Sequence, residues 1–95
     1  MPAYLIVNIR IKDPAAYEVY KAAVPALVRK HGGRYLVRGG SVEVLEGQWQ
    51  PERLIVFEFP DMASIRAFDS DPEYAPWKAL RQRSAESDLI AVEGL

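Results

Sequence analysis

The sequence predicts an α+β fold in which a four-stranded antiparallel sheet carries helices on one face, with its elements ordered strand, helix, strand, strand, helix, strand (βαββαβ). Three observations lead there. Apolar residues alternate at period two from Ala3 to Ile11 and again from Glu52 to Phe59, as half-buried strands require. Asp13-Pro14 and Asp71-Pro72 each pair a capping carboxylate with a proline suited to the first helical position, and apolar residues at helical spacing follow both. Glycine and proline mark the joints, at Gly32-Gly33, Gly39-Gly40 and Pro60.

Taken in order, the first strand turns Ala3, Leu5, Val7, Ile9 and Ile11 one way and Tyr4, Ile6, Asn8 and Arg10 the other. The first helix follows Asp13-Pro14, with Tyr17, Tyr20, Val24, Leu27 and Val28 recurring as far as Lys30. Pro25 removes one backbone hydrogen bond there and predicts a bend, because the apolar period continues past it. One glycine of Gly32-Gly33 supplies a left-handed cap. Arg34 to Arg38 is a short strand, Gly39-Gly40 a turn or bulge, and Ser41 to Gly47 an irregular extended excursion. Glu52 to Phe59 places Ile55, Phe57 and Phe59 on one face and Leu54, Val56 and Glu58 on the other before Pro60 stops it.

Met62, Ile65 and Phe68 make a short amphipathic helix that begins near Asp61. A restart is expected at Asp71-Pro72, with Ser70 and Glu73 offering an alternative capping box. Tyr74, Trp77 and Leu80 then share one helix face, which reads as a core-facing stripe, a ligand-stacking platform being the alternative. Leu89 to Val92 closes the sheet.

Composition narrows the function classes. The 95 residues, 49% of them hydrophobic, suffice for one modest core, and no linker-like run divides them, so residues 1–95 are expected to form a single domain. A net charge of −1 without blocks of like charge argues against nucleic acid and against an anionic membrane surface as partners. With no cysteine and one histidine, neither a zinc nor a copper shell can be built, and the aspartates lack EF-hand spacing, so no metal and no cofactor is expected. No apolar run approaches the ~20 residues that span a bilayer. The Met1-Pro2-Ala3-Tyr4 start has neither the charged nor the apolar region of an export signal, and a cytoplasmic setting is expected.

The second face of the sheet carries Tyr4, Ile6, Leu54 and Val56, with Ile90 or Val92, more contiguous apolar surface than a monomer exposes. A homodimer is the expected remedy, leaving a cleft between sheet, partner subunit and helices. On that same face Asn8 and Glu58 are the polar exceptions, and Arg38 on the neighbouring strand is expected within their reach. Asn8, Arg38 and Glu58 are therefore the candidate ligand-binding set, the structural alternative being an ion pair at the dimer seam. His31, the only side chain whose unperturbed titration lies near neutrality, is a candidate general base, as is Glu58. Its place beside Lys30 at a helix C-terminus argues instead for stabilising the terminal carbonyls.

Gly32-Gly33-Arg34-Tyr35, Arg38-Gly39-Gly40, Leu45-Glu46-Gly47, Pro51 with Arg53, Phe57-Glu58-Phe59-Pro60, Ser70 with Pro72-Glu73-Tyr74, Arg81 and Val92-Glu93-Gly94 occur in this order along nearly the whole chain. In these motifs the chain resembles domain-of-unknown-function family 1330. The resemblance implies a ferredoxin-like dimeric α+β barrel, a superfamily that also holds cofactor-free monooxygenases, muconolactone isomerases and haem-handling relatives. It implies no settled activity, because fold alone does not carry chemistry across. Arg53, Arg81 and Glu93 of these motifs could bind a carboxylate or lock strand ends as surface pairs.

Two functions of different classes follow. In one, the dimer binds a small aromatic or carboxylate-bearing molecule without transforming it, or serves a structural or stress-related role. In the other, it is a cofactor-independent enzyme of the monooxygenase or isomerase kind, with Glu58 or His31 as base and Arg38 holding an anion. Whether the chain is an enzyme stays open at the level of sequence.

Overall fold

The computed structural model describes residues 1–95. Its elements are β1 (Ala3–Ile11), α1 (Pro14–Lys30), β2 (Arg34–Arg38), β3 (Arg53–Phe59), α2 (Met62–Asp69), α3 (Ala75–Ser84) and β4 (Ala85–Glu93). The four strands form one antiparallel sheet in the order β2-β3-β1-β4, so the two most apolar strands lie at its centre. This is the ferredoxin-like arrangement, with the second crossover split into two short helices.

The register shows why one face of the sheet is closed. Leu5 lies opposite Phe57, Val7 opposite Ile55, and Ala3 opposite Phe59, and all six are buried beneath the helices. Tyr17, Val24 and Val28 of α1, Ile65 and Phe68 of α2, and Tyr74 complete this core. Each such side chain contributes about 1.5–3 kcal/mol by leaving water, which fixes the strand parity, because a slip of one residue would expose the whole set. The opposite face is open, and one apolar row crosses all four strands there: Val37 opposite Val56, Val56 opposite Ile6, Ile6 opposite Ile90. Ile90 is 62% exposed.

The local signals act as their chemistry requires. Asp13 accepts a hydrogen bond from the Ala16 amide at 3.2 Å and Asp61 one from the Ser64 amide at 2.8 Å, so both helices start on a carboxylate cap. Gly32 ends α1 with φ +78°, its amide donating to the Arg29 carbonyl and the Gly33 amide to that of Val28. This double closure needs the left-handed residue that glycine supplies without a Cβ penalty. α1 runs through Pro25 to Lys30.

Three features depart from the sequence reading. α3 starts at Ala75 and not at Asp71-Pro72. Asp71 still caps, its carboxylate accepting from the Glu73 amide at 2.9 Å and its carbonyl from the amides of Tyr74 and Ala75. The turn so formed cannot join the helical ladder, because Pro76 has no N–H for the Pro72 carbonyl. β4 is longer than Leu89 to Val92, since Ala85 to Asp88 pair along β1 from Ile11 to Asn8. Polar residues at Glu86, Ser87 and Asp88 hide that extension in the sequence. Finally, β2 carries its bulge at Leu36, between Tyr35 and Val37, and not at the glycines that follow. No helix of the structure is long and apolar enough to cross a membrane.

Candidate functional site

The bulge at Leu36 changes which residues meet. Before it, Arg34 lies opposite Glu58 on the open face; after it, Arg38 lies opposite Ile55 and so points under the helices. An unbroken ladder would have sent Arg38 to the open face, where it was expected beside Asn8 and Glu58. The structure does not bring these three together. Glu58 is held instead by Arg34, at 2.9 Å from Nη2 and 3.1 Å from Nε. Asn8 lies opposite Leu54, four positions along the face from Glu58, and its Oδ1 accepts from the Glu52 amide at 3.1 Å.

His31 is the C-terminal cap residue of α1, and its Nε2 lies 2.7 Å from an Asp71 carboxylate oxygen that Lys30 Nζ also reaches at 2.8 Å. Lys30, then His31, then the Glu73 amide hold the Asp71 carboxyl well below the usual carboxylate range. The cluster ties the end of α1 to the turn before α3. A carboxyl depressed by folding stabilises the native state above its unfolded pKa and loses that contribution as pH falls. Asp71→Asn should therefore lower the urea midpoint at neutral pH, and the gap to the parent should close as pH falls below about 4, the unfolded aspartate range. A gap that stayed constant across pH would show that the carboxylate's charge is not what joins the two segments.

An apolar cleft lies on the helix-covered face, between α1, α3 and the sheet. Helical spacing directs Tyr17, Tyr20 and Val24 of α1 at it, Leu5, Val7, Ile9, Ile55 and Phe57 form its floor, and Tyr74 and Leu89 close it. The cleft holds about 440 Å³ of empty space including its mouth, yet the centre of a water-sized sphere reaches only about 20 Å³ of it. That is room for roughly one ordered water, so the cavity is small as it stands.

Four cations border this apolar slot: Lys21, Arg38, Arg53 and Arg81. Arg81 is 4% exposed, and its Nε has no hydrogen-bond partner; the buried Nε of Arg53 has none either. The Arg53 guanidinium lies 5.9 Å from the Tyr17 ring centre and packs on Gly39, where a Cβ would collide with Nη1. Arg38 lies 4.6 Å over the Tyr35 ring and donates to the Lys21 carbonyl at 3.1 Å. No aspartate, glutamate or histidine lines the cleft.

The tyrosines complete a surface of donors. The Tyr20 and Tyr74 hydroxyls are 2.8 Å apart and share one proton between them, leaving the second O–H to give. Burial first, then Tyr74, pushes the Tyr20 phenol far above its ordinary value, and burial raises that of Tyr35, so both stay protonated at physiological pH. Burial works against the Arg81 guanidinium, but the Tyr74 and Tyr20 oxygens outweigh it and hold its pKa up. The cleft thus offers hydrogens and positive charge, with phenol oxygens as its only side-chain acceptors.

Sequence signals for these residues existed. Arg53 shares the core parity of Ile55 and Phe57, and Arg81 lies two helical turns after Tyr74, on the face of the aromatic stripe. Read as surface pairs, they are the residues whose place the sequence left furthest from the mark. Glu93 lies opposite Ala3 at the exposed end of β4, away from the cleft.

Solved structures with this fold include a protein of unknown function, RPA0582, from Rhodopseudomonas palustris, at 22% identity and a TM-score of 0.79, covering 99% of this chain and 82% of that one. SnoaB from Streptomyces nogalater, a cofactor-independent oxygenase, is 14% identical with a TM-score of 0.64 over 99% of this chain and 93% of its own. A dimeric ferredoxin-like protein of unknown function from Jannaschia sp. CCS1 is 14% identical with a TM-score of 0.66, over 99% and 100%. At these identities the likeness establishes the fold alone. No curated protein matches the sequence. The family model described as Domain of unknown function (DUF1330) matches residues 2–95, and the chain belongs to that family.

Proposed function

We propose that this protein is a cytoplasmic homodimer that binds a small molecule, without a cofactor, in the cleft between α1, α3 and the sheet. One observation carries the binding role: Arg81 is almost wholly buried in an aromatic cleft, with a free Nε and no carboxylate beside it. A buried guanidinium whose only partners are neutral phenol oxygens is costly, and a folded chain retains that cost where a ligand supplies the missing charge. The dimer is supported by the apolar row from Val37 to Ile90 and by the dimeric ferredoxin-like neighbours. Binding is favoured over catalysis because Glu58 and His31, the candidate bases, are both engaged elsewhere and neither lines the cleft. Asn8 and Glu58 are better read as partners of the open face than as ligand contacts.

Native mass spectrometry of the protein purified without additives tests this reading. The expected spectrum shows a dimer with an adduct that denaturation releases, and Arg81→Met removes the adduct while keeping the dimer. A bare dimer, whose melting temperature no mixture of small molecules raises, would count against a binding role.

A further inference from the structure

Given a binding role for the cleft, the chemistry of its walls identifies the class of ligand. Every charged group that borders it is positive, and the nearest carboxylates are already taken. Asp69 and Glu86 sit in the open depression on the other side of Arg81 but pair with Lys78 at 3.0 Å and Arg10 at 3.9 Å, leaving Arg81 without an ion pair. Arg53 likewise has no ionic partner, although Glu52 precedes it and reaches Arg10 at 3.8 Å. Two guanidiniums with free Nε atoms therefore border one tyrosine wall, Arg53 near Tyr17 and Arg81 near Tyr20 and Tyr74.

We propose that the cleft takes a planar aromatic monocarboxylate, its carboxylate received by Arg53 and Arg81 and its ring slid between the tyrosines of α1 and the apolar floor of the sheet. A carboxylate has two oxygens to satisfy two separate N–H donors, and charge-assisted bonds of this kind are the strong ones. A single negative charge suits a dry site, whereas phosphate carries up to two charges and a tight hydration shell. An aromatic ring suits the lining, since Tyr17, Tyr20, Tyr35 and Phe57 border the cleft and offer it ring faces and edges. Entry requires the walls to part, since the space as it stands admits roughly one water-sized sphere.

The test titrates the purified dimer with benzoate and 2-naphthoate, and in parallel with benzamide, acetate and inorganic phosphate, reading heat of binding and melting temperature. The two aromatic carboxylates should bind and raise the melting temperature with concentration. Benzamide, which keeps the ring and loses the charge, should bind about tenfold or more weakly, the size of a lost charge-assisted hydrogen bond. Acetate and phosphate should leave the melting temperature unchanged. Arg81→Met and Arg53→Met should each weaken benzoate by a similar factor. Should either methionine variant fail to fold, Arg81→Lys and Arg53→Lys serve, keeping the charge while losing the Nε donor, and should weaken benzoate in the same sense. Arg83→Ala, on the exposed side of α3, should bind as the parent does. Benzamide binding as well as benzoate would overturn the anion and leave a binding role standing. Phosphate matching benzoate would overturn the planar class, and so would the absence of any response to either aromatic acid at millimolar concentration. Benzoate binding untouched by all four arginine variants would place the ligand elsewhere and overturn both readings.

Discussion

Val56→Glu should convert the dimer to a monomer that aggregates on standing. Val56 sits in the middle of the apolar row, between Val37 on β2 and Ile6 on β1, with Ile90 beyond. If a second copy covers this face, the variant buries an ionised carboxylate among apolar side chains, at an effective cost of several kcal/mol per ion. Two copies per dimer make the penalty at least twice that, which weakens association by a thousandfold or more at about 1.4 kcal/mol per tenfold. Light scattering behind size exclusion at micromolar concentration should give two chain masses for the parent and one for the variant. A parent protein of one chain mass would remove the dimer from the account, and the open face would then need another cover. The monomer should retain its helical circular dichroism, because the helix-covered core lies on the other side of the sheet.

The second large effect belongs to Tyr74. Its ring stacks on Phe68 at 4.4 Å between centres, its hydroxyl meets that of Tyr20, and it is 1% exposed. Tyr74→Ala should cost about 3–5 kcal/mol, the range for emptying a buried aromatic site and a large fraction of a small domain's stability. Tyr74→Phe isolates the hydroxyl and should cost about 0.5–1.5 kcal/mol. Trp77 shares the helix face but is only partly buried, so Trp77→Ala should be the milder change of the two large ones. Urea unfolding of the three variants ranks them, and a Trp77→Ala loss greater than that of Tyr74→Ala would show that the stripe, not the turn before α3, anchors this helix.

The parts of the fold that were legible in the sequence are those whose cause is local. The alternation in β1 and β3, the carboxylate caps at Asp13 and Asp61 and the glycine stop at Gly32 each rest on residues within a few positions of one another. What was not legible depends on a distant partner. β4 extends through Glu86, Ser87 and Asp88 because β1 offers them a ladder, against their own preference. α3 begins late because Pro76 denies a bond to Pro72, which a cap at Asp71 alone does not reveal. Arg38 was expected on the wrong face for a related reason. Parity counts correctly only along an unbroken strand, and charged side chains such as Arg53 and Arg81 read as surface residues wherever the counting is not pressed to its end.

The extra residue in β2 has a wider meaning. In a strand, sidedness is a matter of counting, and one uncounted residue reverses the answer for all that come after it. Leu36 is that residue, and by its presence a valine is delivered to the open face and a cation to the interior. A descendant that lost one position here would keep its charge, its hydropathy and nearly its length, and would pass for an ordinary sibling in any alignment. It would nevertheless have exchanged the inside for the outside at the one edge where the two kinds of surface meet.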